Sequence, residues 1–270
     1  MVELFQQDEK KTYAQSSKGN QLKWYNENIW YKADYTGHEG LSEYMVSKLL
    51  KYSDLNSSEY VDYDVETIRY RNTSYRGCKS YNFLSEGWRI ITLERLFQCA
   101  YGKSLARSLY SIQDNENRLQ FLVNQTIRIT GLKDFGSYMS KLLTIDALFL
   151  NEDRHTHNIA VLMDDMGSYH YCPFFDHGAS LLADTIMDYP IQTSEGLDEL
   201  IGRVEAKTFC PSFDEQLDIV EKLYGKHLHF HFGRQDVEHL LESETEYPVE
   251  EKMRVLDIIM AQRRKYEYLF

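Results

Sequence analysis

The sequence predicts an α+β protein, with a small β-rich part up to about Ile91 followed by a mainly helical part from Thr92 onward. Three observations predict it. Between Tyr60 and Ile91 apolar and polar residues alternate, with breaks at residues 72–77 and 85–87, which is the period of half-buried strands. From Thr92 the period lengthens to that of amphipathic helices. Within the helical part, residues 151–178 (NEDRHTHNIAVLMDDMGSYHYCPFFDHG) contain a strand-like run, a turn at 164–168 and a second strand-like run, the pattern of a β-hairpin.

Composition sets the outer limits. A chain of 270 residues, 43% hydrophobic and 27% charged, can bury the core of one large domain or of two lobes. Its net charge of -12 argues against a general nucleic-acid binder, because phosphate contacts need clustered Lys and Arg. Cys78, Cys99, Cys172 and Cys210 are scattered without a CxxC pair, and neither a secretory signal nor a membrane-length apolar run is evident. A cytoplasmic protein with reduced thiols is expected.

Taken in order, residues 1–11 are a polar end, frayed or partly paired. Residues 12–25 put Ser16, Ser17, Lys18 and Gly19 in a polar loop before the alternating positions Leu22 and Trp24. The backbone N–H groups of such a loop can cradle phosphate oxygens, although most loops of this kind are only loops. A turn at 26–28 leads to the strand IWYKADY, which carries Lys32. A helix over about residues 41–52 follows, with Glu39 and Glu43 near its start, where carboxylates are also favoured by the helix dipole alone. Helices are predicted at 92–101, ended by Gly102, and at 115–129 and 136–150. Residues 179–196 are polar, contain Pro190 and Gly196, and read as extended. Further helices are predicted at 197–204, 212–224, 234–242 and from Pro248 to about Tyr268, Pro248 marking a helix start.

The chemistry concentrates in the stretch at 151–178. Hairpin pairing brings the start of its first strand to the end of its second, so Asn158 and Asp176 should meet, with Asp153 on the loop above them. A carboxylate free to accept a proton, an amide oxygen and a second carboxylate suit magnesium-assisted phosphoryl transfer, since magnesium takes few protein ligands.

DRHTHN, a hairpin and then FFDHG resemble the catalytic core of the HipA-like bacterial serine/threonine kinases, which share the protein-kinase and phosphatidylinositol-kinase architecture. The resemblance implies a two-lobed protein-kinase-like fold, with an N-lobe over residues 1–91, a C-lobe over 92–270 and ATP in the cleft between them. It implies that Asp153 deprotonates the acceptor hydroxyl, that Asn158 and Asp176 hold Mg2+, and that Lys32, steadied by Glu43, neutralises phosphate charge. Ser16, Ser17, Lys18 and Gly19 become the phosphate loop, with Ser16 or Ser17 a candidate for autophosphorylation. Residues 80–84 become the link that hydrogen-bonds adenine, while Arg154 and His155 shape the catalytic loop. The implied partners are ATP and a protein substrate. Three features depart from the family: the loop has a single Gly, the D-F-G element reads DHG, and the additional N-terminal subdomain of full-length HipA toxins is absent.

Other readings stay open. A small-molecule or lipid kinase of the same fold would use the same residues, and a non-catalytic kinase-like interaction protein would hold them out of register. HLHFH places His227, His229 and His231 on one face if it is a strand, an arrangement that could hold zinc in a hydrolase.

Overall fold

The computed structural model describes residues 1–10 and 21–270. β1 (Val2–Glu3) is paired rather than frayed, running parallel to a strand introduced below. β2 (Lys23–Asn26) and β3 (Ile29–Ala33) form a hairpin. Its two turn residues, Glu27 and Asn28, have φ of 48° and 66°, the left-handed pair whose twist matches the flanking strands. α1 (Glu39–Leu50) follows, two residues earlier than expected at its start. Every α1 residue except Tyr44 and Lys48 is buried, because the helix is wedged between the sheet on one side and the helical part on the other. Gly40 allows this seat: a Cβ there would lie 2.5 Å from the carbonyl carbon of Gly77.

The alternating stretch 60–91, which has the period of half-buried strands, divides among three sheets. β4 (Asp64–Val65) and β7 (Gly77–Tyr81) complete a four-stranded sheet in the order β2-β3-β7-β4. β5 (Ile68–Tyr70) and β6 (Thr73–Tyr75) form a second sheet with β1. β8 (Arg89–Thr92) leaves both and pairs with the hairpin of the helical part. Phe83, Leu84 and Trp88, in the connection before it, pack on Leu162 and Cys172 of that hairpin and draw the strand across.

The helical part begins with α2 (Leu93–Tyr101), whose first turn is capped by the Thr92 hydroxyl and whose end is Gly102 at φ 67°. α3 (Leu105–Tyr110) is too short for periodicity to reveal. α4 (Asn115–Thr130) and α5 (Phe135–Phe149) match the predicted helices closely. α5 is the central element, packed against α4 and later helices. It delivers the chain to the hairpin β9 (Ala160–Met163) and β10 (Tyr169–Tyr171). Residues 179–196 are a run of turns rather than an extended segment. The cause is apolar: Leu181 and Leu182 are buried in the main core. α6 (Leu197–Gly202), α7 (Phe213–Tyr224), α8 (Arg234–Ser243) and α9 (Val249–Lys265) close the chain. No helix among the described residues is long and apolar enough to cross a membrane, and none of the four cysteines is in a disulfide.

The junction of β3 and α1 is tied to the C-terminal segment through Asp34. Its carboxylate accepts hydrogen bonds from the Gly40 N–H (2.7 Å) and the Tyr247 hydroxyl (2.8 Å), just before α9. Burial, reinforced by Glu39, pushes the Asp34 carboxyl up to about 7, against the pull of Gly40, Tyr247 and Arg76. A folded-state value above the unfolded one means that the folded chain keeps a proton the unfolded chain has released. Asp34 therefore costs stability progressively as pH rises from about 4 to about 7, by a few kcal/mol in all. Asp34→Asn should remove that cost, its amide oxygen accepting from Gly40 and its NH2 donating to Tyr247. Urea denaturation at pH 4.5 and 7.5 should show the variant gaining on wild type at the higher pH. An unchanged difference would refute the assignment.

Candidate active site

The site is built on Arg154. α5 ends at Leu150 in the left-handed conformation (φ 56°), and the loop that follows turns the Arg154 side chain back under it, fully buried. Its Nε donates to Oδ2 of Asp146 at 2.9 Å and its Nη2 to Oδ1 at 3.1 Å, Asp146 lying in the last turn of α5. Its Nη1 donates to the carbonyl oxygens of Asn158 (3.1 Å) and Phe175 (3.0 Å). Those residues stand just before β9 and beyond β10, so one guanidinium fork joins the helix, the loop and both outer ends of the hairpin. Nη2 also meets Nδ1 of His177 at 3.3 Å.

Across the cleft, Lys32 on β3 bonds two carboxylates. Nζ lies 2.5 Å from Oε1 of Glu43 and 2.7 Å from Oδ1 of Asp176. The other Glu43 oxygen accepts the His177 N–H at 2.8 Å, so α1 is bonded to the DHG element as well as to β3. Glu39, the alternative partner, is spent on the backbone N–H groups of Tyr35, Thr36 and Gly37. Asp176 has φ 63°, a conformation that Asp tolerates better than most residues. Burial acts against its charge, but Lys32 and then Lys23 hold its carboxyl far below the usual range. Burial likewise acts against the Lys32 ammonium, which Asp176 and Glu43 raise well above its ordinary value.

Asp153, Asn158 and Asp176 line one cleft together with Gln21 and Lys23. The Asn158 NH2 donates to the Asp153 carbonyl (2.8 Å) and carboxylate (3.2 Å), which leaves its amide oxygen as the group for a cation. An ionised Asp176 and that oxygen form the small, hard donor set that magnesium takes from a protein, so the residues present fit the ion. Lys207 and His155 approach the Asp153 carboxylate at 3.7 and 3.8 Å.

Lys23 was missed in the sequence. Its signal was the two-residue turn: register across that turn pairs Lys23 with Lys32, and directly opposed residues share a face. The predicted phosphate-loop residues Ser16, Ser17, Lys18 and Gly19 lie outside the described residues. HLHFH is not a strand of this fold, since Phe230 makes only an isolated bridge with Ser53. His227 bonds the Tyr224 carbonyl, while His229 and His231 both meet Asp54, at 3.3 and 2.8 Å. Among the described residues no group of three or more His, Cys, Asp or Glu side chains is arranged to hold a metal ion.

This architecture is similar to the Helicobacter pylori proinflammatory kinase CtkA, at TM-score 0.61 and 15% identity, over 91% of this chain and 88% of that one. The chain has that kinase-like fold. It is the α+β, two-lobed arrangement that the HipA-like resemblance of DRHTHN and FFDHG implies. HipA in the Shewanella oneidensis MR-1 toxin–antitoxin complex with HipB and operator DNA also matches. It is 13% identical, with TM-score 0.49, over 96% of this chain and 65% of that one. No protein-family model matches the chain, and no curated protein does.

Arg154 and Asp146 are both buried, so removing one charge leaves the other uncompensated. Asp146→Asn should lower the unfolding free energy by about 3–5 kcal/mol in urea titration. A loss below about 1 kcal/mol would mean that the pair does not hold the loop.

Proposed function

We propose that this chain is an ATP- and magnesium-dependent phosphotransferase whose acceptor is a serine or threonine hydroxyl of a protein. The observation that carries the reading is Lys32, bonded at once to Glu43 and Asp176 at the edge of a cleft that Asp153 and Asn158 also line. The acceptor class rests on the resemblance to the HipA-like serine/threonine kinases. We move the lobe boundary expected at residue 91 back to residues 82–88, because β8 pairs with the hairpin of the helical part.

Each residue has one task. Lys32 and Lys23 supply positive charge to the phosphates, and Glu43 fixes the Lys32 ammonium against α1. Asp176 and Asn158 hold the cation, and Asp153 orients the acceptor hydroxyl and takes its proton. Magnesium, when bound, offsets the charge on the phosphate oxygens. Lys32 cannot serve Asp176 and a phosphate at full strength together. Asp176 engaged with a cation leaves Lys32 for the nucleotide, so nucleotide and metal should each strengthen the binding of the other.

Thermal shift tests the reading, because a ligand of the native state raises its melting temperature. ATP with magnesium should raise the melting temperature of the wild-type protein more than ATP alone, and Asp176→Ala should lose the magnesium-dependent part. Asp153→Ala should keep the shift yet lose phosphate transfer to protein acceptors by about 10²–10⁴-fold, the scale of general-base catalysis. A wild-type protein that shows no shift with magnesium and ATP would sink the proposal.

A further inference from the structure

A second pocket adjoins the catalytic loop, next to Asp153. Leu109 and Tyr110 of α3 and Phe209 give it apolar walls, and Arg118, His157 and Lys207 stand around it. None of the residues lining it is Asp or Glu, although the chain carries a net charge of -12. The phosphate cleft is the reverse, with Glu39, Asp153, Asp176 and Asp184 among its lining residues.

Arg118 is held in place without a carboxylate. Its Nε donates to the Ile112 carbonyl at 2.7 Å, and its Nη1 to the Phe209 carbonyl at 3.0 Å and to Oδ1 of Asn115 at 2.9 Å. The Tyr110 ring lies 5.9 Å from the guanidinium carbon. These neutral contacts fix the cation without neutralising it. Glu94, the nearby buried carboxylate, is spent on the N–H groups of Leu105 and Ala106 and on the Thr156 hydroxyl. His155, between the two sites, has a buried Nδ1 with no hydrogen-bond partner. Lys207 and His155 are also the groups that approach Asp153, so the pocket begins where the acceptor hydroxyl would be delivered.

We propose that this pocket docks an acidic side chain of the acceptor protein, flanked by an apolar residue and one to three positions from the phosphorylated hydroxyl. The spacing follows from the reach of an extended chain, about 3.3 Å per residue. The anion meets Arg118 and Lys207, and the apolar neighbour meets Leu109, Tyr110 and Phe209. This inference rests on the phosphotransferase reading for the acceptor's role, but the pocket's preference for an anion can be measured without catalysis.

Two fluorescein-labelled, alanine-rich decapeptides with a central Ser would serve as probes. One carries Leu-Glu two residues after the Ser, the other Leu-Gln. Fluorescence anisotropy with the full-length protein should show the Glu peptide bound about fivefold or more tighter than the Gln peptide, the scale of one or two partly exposed charge pairs. Lys207→Glu should abolish that difference, Lys207→Arg should retain it, and both variants should keep the magnesium–ATP thermal shift. Equal binding of the two peptides, no binding of the Glu peptide, or an unchanged preference in Lys207→Glu overturns the proposal. A Glu preference that depends on Lys207 in a protein with no magnesium–ATP shift would uphold the anion-binding pocket while removing the kinase reading, so the two failures are distinguishable.

Discussion

The buried pair of Arg154 and Asp146 is the constraint on which the site depends. A guanidinium removed from water is tolerable only when its donors are occupied, and the partners Arg154 finds define the geometry. Asp146 fixes it to the last turn of α5, while Asn158 and Phe175 present it with carbonyl oxygens from the two ends of the hairpin. Asn158 and Asp176 are thereby set next to one another by a residue that itself faces away from the cleft.

A second junction joins a different set of elements. Lys32, Glu43 and Asp176 come from β3, α1 and the end of the hairpin, so their charges tie two consecutive elements to one far along the chain. The position of α1 decides whether they meet. That position is set by Gly40 against Gly77, by the Glu43 bond to the His177 N–H, and by residues 179–186 lying against the loop before the helix. The last of these contacts includes the His38 N–H on the Ala183 carbonyl (3.0 Å) and the Ile186 N–H on the Thr36 carbonyl (2.9 Å). A shift of α1 would break the Lys32–Glu43 bond and loosen the segment after DHG together, which couples the Lys32 end of the cleft to the segment that follows Gly178.

Much of this was legible in the sequence, for local reasons. The hairpin at 159–175 shows itself as two strand-like runs about a turn, and its closure predicts that Asn158 and Asp176 lie on one edge. Glu43 could be preferred to Glu39 because it sits inside the helix. Lys23 went unread because the turn was placed at 26–28, whereas the two-residue turn at 27 and 28 sets the register that pairs it with Lys32. The division of residues 60–91 among three sheets was not legible. Alternation reports that a strand has two unlike faces and says nothing about which neighbour it pairs with.

The sequence by itself determined the period of the longer helices, the residue types of the loop at 151–158 and the order in which Lys32, Glu43, Asp153, Asn158 and Asp176 appear, because these depend on local propensity and spacing. Tertiary structure alone decided that Asp146 answers Arg154, that Asp34 answers Tyr247, and that HLHFH is spent on Asp54 and a backbone carbonyl. It also decided that Leu109, Arg118, His157 and Phe209 enclose one pocket beside Asp153. Each of those outcomes joins segments through burial, and burial selects partners by three-dimensional packing, which a one-dimensional pattern of residues does not encode.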